Sequence, residues 1–169
     1  MMKKQKGFTL VEILIVVAIV ALVGTLAVVA VNSARSKQRD ATRLANVRQL
    51  QSALEDYFNE TNEYPSGELM PLGDPAISSC LGSTGFHGDC SGDSSTIIRN
   101  VPNTYVAGLD GIVVCGSPGR NAFCYTQIKN GISYVIHFEL ENGLATVGLQ
   151  EGVNCAVPGK MEAGICKQD

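Results

Sequence analysis

The chain has 169 residues and a formal charge of −3, with 45 % hydrophobic residues, 18 glycines, two histidines and no tryptophan. That length suits one small domain plus a long helix. The acidic balance excludes the clustered basic face that nucleic-acid binding requires.

Lys3, Lys4 and Lys6 precede Gly7, and across residues 8–31 the only charged side chain is Glu12. A helix of that length spans about 36 Å, enough to cross ~30 Å of hydrocarbon. The flanking lysines place its start on the cytoplasmic side. A secretory signal has an apolar region of only ~7–15 residues and a small-residue cleavage site. Here the run is longer, and Asn32-Ser33-Ala34-Arg35-Ser36-Lys37 has no such pattern. A plain signal anchor is the simplest reading, and Glu12 argues against it. A carboxylate inside an apolar helix costs roughly 2.5–3.5 kcal/mol on insertion scales, so it normally has a partner or a task.

The run Lys6-Gly7-Phe8-Thr9-Leu10-Val11-Glu12 resembles the class III signal of type IV pilins and type II secretion pseudopilins. The resemblance implies that a membrane peptidase cuts after Gly7 and methylates the new N-terminal Phe8. It implies that Thr9 and Glu12 act in assembly, with Glu12 neutralising the N-terminal amine of a neighbouring subunit. An amine and a carboxylate are each costly in lipid when unpaired, so the pairing is chemically coherent. The implied partners are copies of the chain itself, minor pilins or pseudopilins, the prepilin peptidase, an inner-membrane assembly platform and membrane lipid. Many relatives place a proline late in the apolar run. The matching position is Val29, and Gly24 and Thr25 are the only weak points there. Loss of Lys3, Lys4 and Lys6 on cleavage would take the formal charge from −3 to −6.

Residues 32–59 contain neither glycine nor proline. Ala41, Leu44, Val47, Leu50, Leu54, Tyr57 and Phe58 recur at helical spacing, while Arg39, Asp40, Arg43, Arg48, Glu55 and Asp56 mostly fall on other faces. One helix from about Thr9 to about Asn59 follows. Asn62 can cap it, and Pro65 disfavours helix at Tyr64. The stretch from Ala53 to Pro65 resembles the helix exit of the major pseudopilin, with Tyr64 packing in a structural role.

Residues 66–102 are rich in turn formers, with a short helix expected over 74–81. Asp89-Cys90-Ser91-Gly92-Asp93-Ser94 could hold calcium but lacks the EF-hand ligand pattern, and a solvated turn is the simpler reading. The six cysteines, Cys80, Cys90, Cys115, Cys124, Cys155 and Cys166, all follow residue 79. An even count in an extracytoplasmic segment reads as disulfides. Structural zinc sites space their cysteines more closely than any pair here, so no metal site is assigned to them. Many connectivities are open; sequence neighbours suggest Cys80 with Cys90, Cys115 with Cys124, and Cys155 with Cys166.

Strand signals begin after Thr104. Residues 111–115 and 122–129 are β-prone, and Asn130-Gly131 is a hairpin signal. Ile132, Tyr134, Ile136, Phe138 and Leu140 then alternate with Ser133, His137 and Glu139, which puts His137 on a polar, solvent-facing side. Asn142-Gly143 turns into a third strand at residues 144–149, and residues 152–169 read as an irregular tail. The apolar strand face should cover the helical stripe.

No catalytic constellation is present: no Ser/His/Asp spacing, phosphate loop or paired-His helix. The sequence therefore predicts an α+β, pilin-like fold and no enzyme. Residues 1–7 form a leader, 8–31 a transmembrane and assembly helix, 32–62 its amphipathic half, and 63–169 an extracytoplasmic head. The expected role is a filament subunit of a pilus or a secretion pseudopilus, starting in the cytoplasmic membrane. The alternative is a membrane-tethered binding domain that never polymerises.

Overall fold

The computed structural model describes residues 7–103, 115 and 123–167. The chain forms two compact units divided after Gln38. Helix α1, Leu10–Thr61, begins in the first and ends in the second. In the first unit residues 10–35 are exposed throughout, as an apolar sequence meant for lipid or for other helices would leave them.

In the second unit α1 buries Val47, Leu50, Ala53, Leu54 and Tyr57 at spacings of three and four. These pack into the main core with Phe123, Tyr125, Tyr134, Ile136 and Phe138. The sheet that supplies those residues is fully antiparallel, in the order β1-β4-β5-β6-β7. Its strands are β1 Met70–Pro71, β4 Phe123–Ile128, β5 Ser133–Leu140, β6 Gly152–Val157 and β7 Lys160–Ala163. A separate pair, β2 Cys80–Gly82 and β3 Gly85–His87, sits in the loop region. The α+β class with a disulfide-stapled C-terminal region is therefore the observed one.

The helix exit is locked from several sides. Asn62 is left-handed (φ 60°), and its N–H donates to Phe58 O at 2.8 Å, which ends the helix. Tyr64 then stacks on Phe58 and meets Tyr134 edge-on, both with ring centroids at 4.7 Å. Its hydroxyl donates to Glu55 at 3.0 Å. Tyr125 donates to Pro65 O at 2.6 Å.

Several sequence expectations need correction. Residues 74–81 form no helix. Asp74 caps Ala76 N–H at 2.8 Å, as at a helix start. The Ser78 hydroxyl then bonds Pro71 O, and Cys80 is drawn into β2, so one turn is all that forms. The β4–β5 connection is wider than a two-residue hairpin. It is a 3₁₀ turn, Lys129–Gly131, with Lys129 and Asn130 left-handed, and it leaves Ile132 67 % exposed rather than in the core face.

The third strand is β6, not residues 144–149. Leu144 and Leu149 bond each other at 2.8 and 3.1 Å around a 3₁₀ turn, Ala145–Val147, so that segment closes on itself. The supposed tail supplies β6 and β7. His137 is buried, because the second sheet face is covered too. On α1, Ala41 is exposed while Asp40 and Arg43 are buried. Of the expected strand at 111–115 only Cys115 lies among the described residues.

Candidate functional site

The N-terminal site is built locally. Gly7, Phe8 and Thr9 precede the helix in non-helical backbone. Among the described residues nothing lies within 4 Å of where a Gly7 side chain would start, and Phe8 is 83 % exposed. Gly7 and Phe8 are both exposed ahead of the helix.

Thr9 and Glu12 are brought together as a reciprocal capping box. The Glu12 carboxylate accepts from the Thr9 backbone N–H and from the Thr9 hydroxyl, both at 2.8 Å. The Thr9 hydroxyl oxygen accepts from Glu12 N–H at 3.3 Å. The spacing of three places an N-cap threonine and an N3 glutamate across the first turn, where orphan N–H groups need acceptors. A carboxylate there also faces the positive end of the helix dipole. Beyond Glu12 the helix shows an unbroken apolar surface, and its most apolar window is 0 % buried. Among the described residues α1 is the one helix long and apolar enough to cross a membrane. Exposed apolar surface on this scale marks a lipid or protein contact.

In the head, α1 meets the turn after β5 through a buried ionic cluster. Asp40 is 2 % exposed and accepts four hydrogen bonds: Arg43 Nη1 at 2.9 Å, Glu141 N–H at 2.7 Å, and Asn142 N–H and Nδ2 at 2.8 and 3.0 Å. Arg39 donates from Nε and Nη2 to the two Glu141 carboxylate oxygens, at 2.8 and 2.5 Å. Arg43 Nη2 adds an ion pair to the same carboxylate at 2.9 Å. The Arg39 hydrogen bonds, then Arg43, hold the Glu141 carboxyl below its ordinary range. Sequence reading missed this cluster. Its available sign was phase: 40, 43, 47, 50 and 54 continue one helical row.

The cysteines pair as Cys80–Cys90, Cys115–Cys124 and Cys155–Cys166, with Cα separations of 6.2, 5.3 and 5.8 Å. Cys124, His137, Cys155 and Glu162 form one cross-strand row on the second sheet face. Burial pushes the His137 imidazole below its ordinary value. In the loop proposed for calcium, Asp89 accepts from Ser91 N–H, and Asp93 from Ser95 N–H, each at 2.8 Å. The Ser95 hydroxyl and N–H lower the Asp93 carboxyl, the Ser91 N–H and hydroxyl lower that of Asp89, and the bonds fold each Asp into a local turn.

Residues 2–28 match the family described as the prokaryotic N-terminal methylation motif, the class III signal of type IV pilins and pseudopilins. No solved structure matches the chain. The motif covers Gly7, Phe8, Thr9 and Glu12 together, while the head stands on its own geometry.

Proposed function

We propose that this chain is a pilin-like precursor. Hydrolysis of the Gly7–Phe8 bond frees the Phe8 amine, the amine is methylated, and the processed subunits polymerise through their apolar helices. The methylation motif over residues 2–28 carries the reading. In the single subunit Glu12 is satisfied by Thr9, which lowers the cost of holding a carboxylate at the membrane. On assembly Glu12 turns to the amine of a neighbouring Phe8. Both charges then leave lipid paired, and neighbouring helices replace the lipid contacts. The chain starts in the cytoplasmic membrane with its head outside the cytoplasm, where disulfides persist. Its role is structural rather than enzymatic.

Within that class two systems compete. The Tyr64-Pro65 exit resembles a secretion pseudopilin, whereas three disulfides in the head suit an exposed fibre. Long surface filaments would support a pilus, and a secretion defect without them a pseudopilus.

The test is N-terminal mass plus filament yield. The native protein should begin at Phe8 with one added methyl group. Glu12→Ala should leave insertion intact and abolish filaments. An N-terminus retained through Gly7 in cells with active peptidase would overturn the reading and leave a tethered head domain.

A further inference from the structure

We propose that Arg35 and Lys37 form a basic collar that binds the phosphates of anionic phospholipid in the extracytoplasmic leaflet. This rests on the membrane-spanning part of the proposed function and names the lipid class and the residues that meet it.

The collar's place is fixed by the apolar run. Val31 ends that run, and Arg35 and Lys37 follow it within the same helix and the same compact unit. At 1.5 Å per residue they stand about 6 and 9 Å beyond Val31. The headgroup layer on each side of a bilayer is roughly 5–8 Å deep. Long Lys and Arg stems let the charged ends reach the phosphate level from either side of it. Both residues are exposed. They lie about 200° apart around the helix axis, so the pair meets headgroups on two sides of the helix rather than enclosing one molecule.

Their charge is uncompensated within the chain. No Asp or Glu occurs between Glu12 and Asp40. Neither Arg35 nor Lys37 makes an ion pair among the described residues. The next two arginines differ. Arg39 binds the Glu141 carboxylate, and Arg43 pairs with Asp40 and Glu141. The head thus supplies anions to its own first arginines and leaves the two residues beside the membrane for an anion from elsewhere.

Two observations identify that anion as lipid. The first is position: the span itself carries the collar to the phosphate layer, so the bilayer presents anions at the height where Arg35 and Lys37 stand. Arg offers phosphate a bidentate fork, and Lys a compact point charge. The second is the charge count across the span. Lys3, Lys4 and Lys6 precede the apolar run, whereas Arg35, Lys37, Arg39, Arg43 and Arg48 fall in residues 32–51. Excess Lys and Arg normally lie on the cytoplasmic side, and here the outer flank holds more. Cleavage after Gly7 removes all three inner lysines. In the processed subunit the basic residues at membrane level are then Arg35 and Lys37. A basic residue beside an anionic surface gains about five-fold in binding, ~1 kcal/mol. The collar therefore fastens the processed subunit to the outer leaflet.

The test is native mass spectrometry of the chain purified in detergent from the membranes that process it. The probes are phosphatidylglycerol and phosphatidylcholine with the same acyl chains. The unaltered chain should retain phosphatidylglycerol at least about five-fold over phosphatidylcholine. Arg35→Gln with Lys37→Gln should bring the two lipids to parity. Arg35→Lys with Lys37→Arg should keep the preference, and Arg48→Gln, in the second unit, should leave it unchanged. Excess inorganic phosphate should not displace the lipid. Equal retention of both lipids by the unaltered chain would overturn the collar, and that comparison needs no variant to fold. A preference that survives the double Gln variant would overturn it too, as would displacement by inorganic phosphate, which would mark a free-anion site. A native N-terminus kept through Gly7 would overturn the processing reading, while the same lipid comparison still decides the collar. Release of the chain by carbonate washing of membranes would overturn the span, and the collar with it.

Discussion

Asp40→Ala tests the buried cluster that fastens α1 to the sheet. Asp40 is 2 % exposed and Arg43 1 %. Truncation removes the acceptor of Arg43 Nη1 and of the Glu141 and Asn142 backbone N–H groups. Arg43 then keeps one carboxylate, Glu141, which Arg39 already grips. Breaking a buried pair from one side costs about 3–5 kcal/mol, because the remaining charge stays desolvated. Unpaired buried N–H groups would add ~1–3 kcal/mol each if water could not reach them. The ion pair that survives offsets part of this, so a loss of about 4 kcal/mol is expected. The assay is urea unfolding of the full chain in detergent, followed by tyrosine fluorescence, since there is no tryptophan. At a slope of ~2 kcal/mol per molar the midpoint should fall by about 2 M. Asp40→Leu with Arg43→Met removes both charges and should cost less than half as much. A single-variant loss below ~1 kcal/mol, or a double variant worse than the single, would refute the reasoning.

The remaining predictions concern acid, staples and core. The Glu141 carboxyl sits below its ordinary 4.5 in the fold. The unfolded chain therefore takes up that proton first, and stability present above pH 4.5 should decline as pH falls below it; thermal midpoints of Glu141→Gln should lose this slope. The His137 imidazole is depressed below 6.5 by burial. Here too the unfolded chain protonates first, so stability falls as pH drops below 6.5, and His137→Gln should flatten the midpoint between pH 7 and 5. Replacing Cys155 and Cys166 by Ser opens a loop of sequence separation 11, and should cost about 3 kcal/mol in urea unfolding on the chain-entropy account. Leu54, 0 % exposed in the helix–sheet core, should cost ~2–5 kcal/mol as Leu54→Ala by the same measurement.

What was legible in the sequence follows from how locally each feature is determined. Gly7, Phe8, Thr9 and Glu12 lie within one stretch of chain, and the membrane permits few compositions around them, so the candidate site could be read directly. The helix exit was equally local, since a left-handed Asn62 and a Pro65 stop a helix wherever it packs. The alternation of β5 placed Tyr134, Ile136, Phe138 and Leu140 correctly in the core. The same alternation misplaced His137, because period two says which residues share a face, not whether the other face meets water. Here it is covered, with Cys124 and Cys155 paired to His137 on either side. Asp40 and Arg43 were misread for a related reason. Their phase was that of the buried row, but a charge is placed in a core only when its partner is known. That partner is Glu141, whose backbone N–H lies 101 residues from Asp40 in sequence. Sequence thus displays the capped, apolar start of α1, while the contacts that bury Asp40 and Arg43 are made by folding.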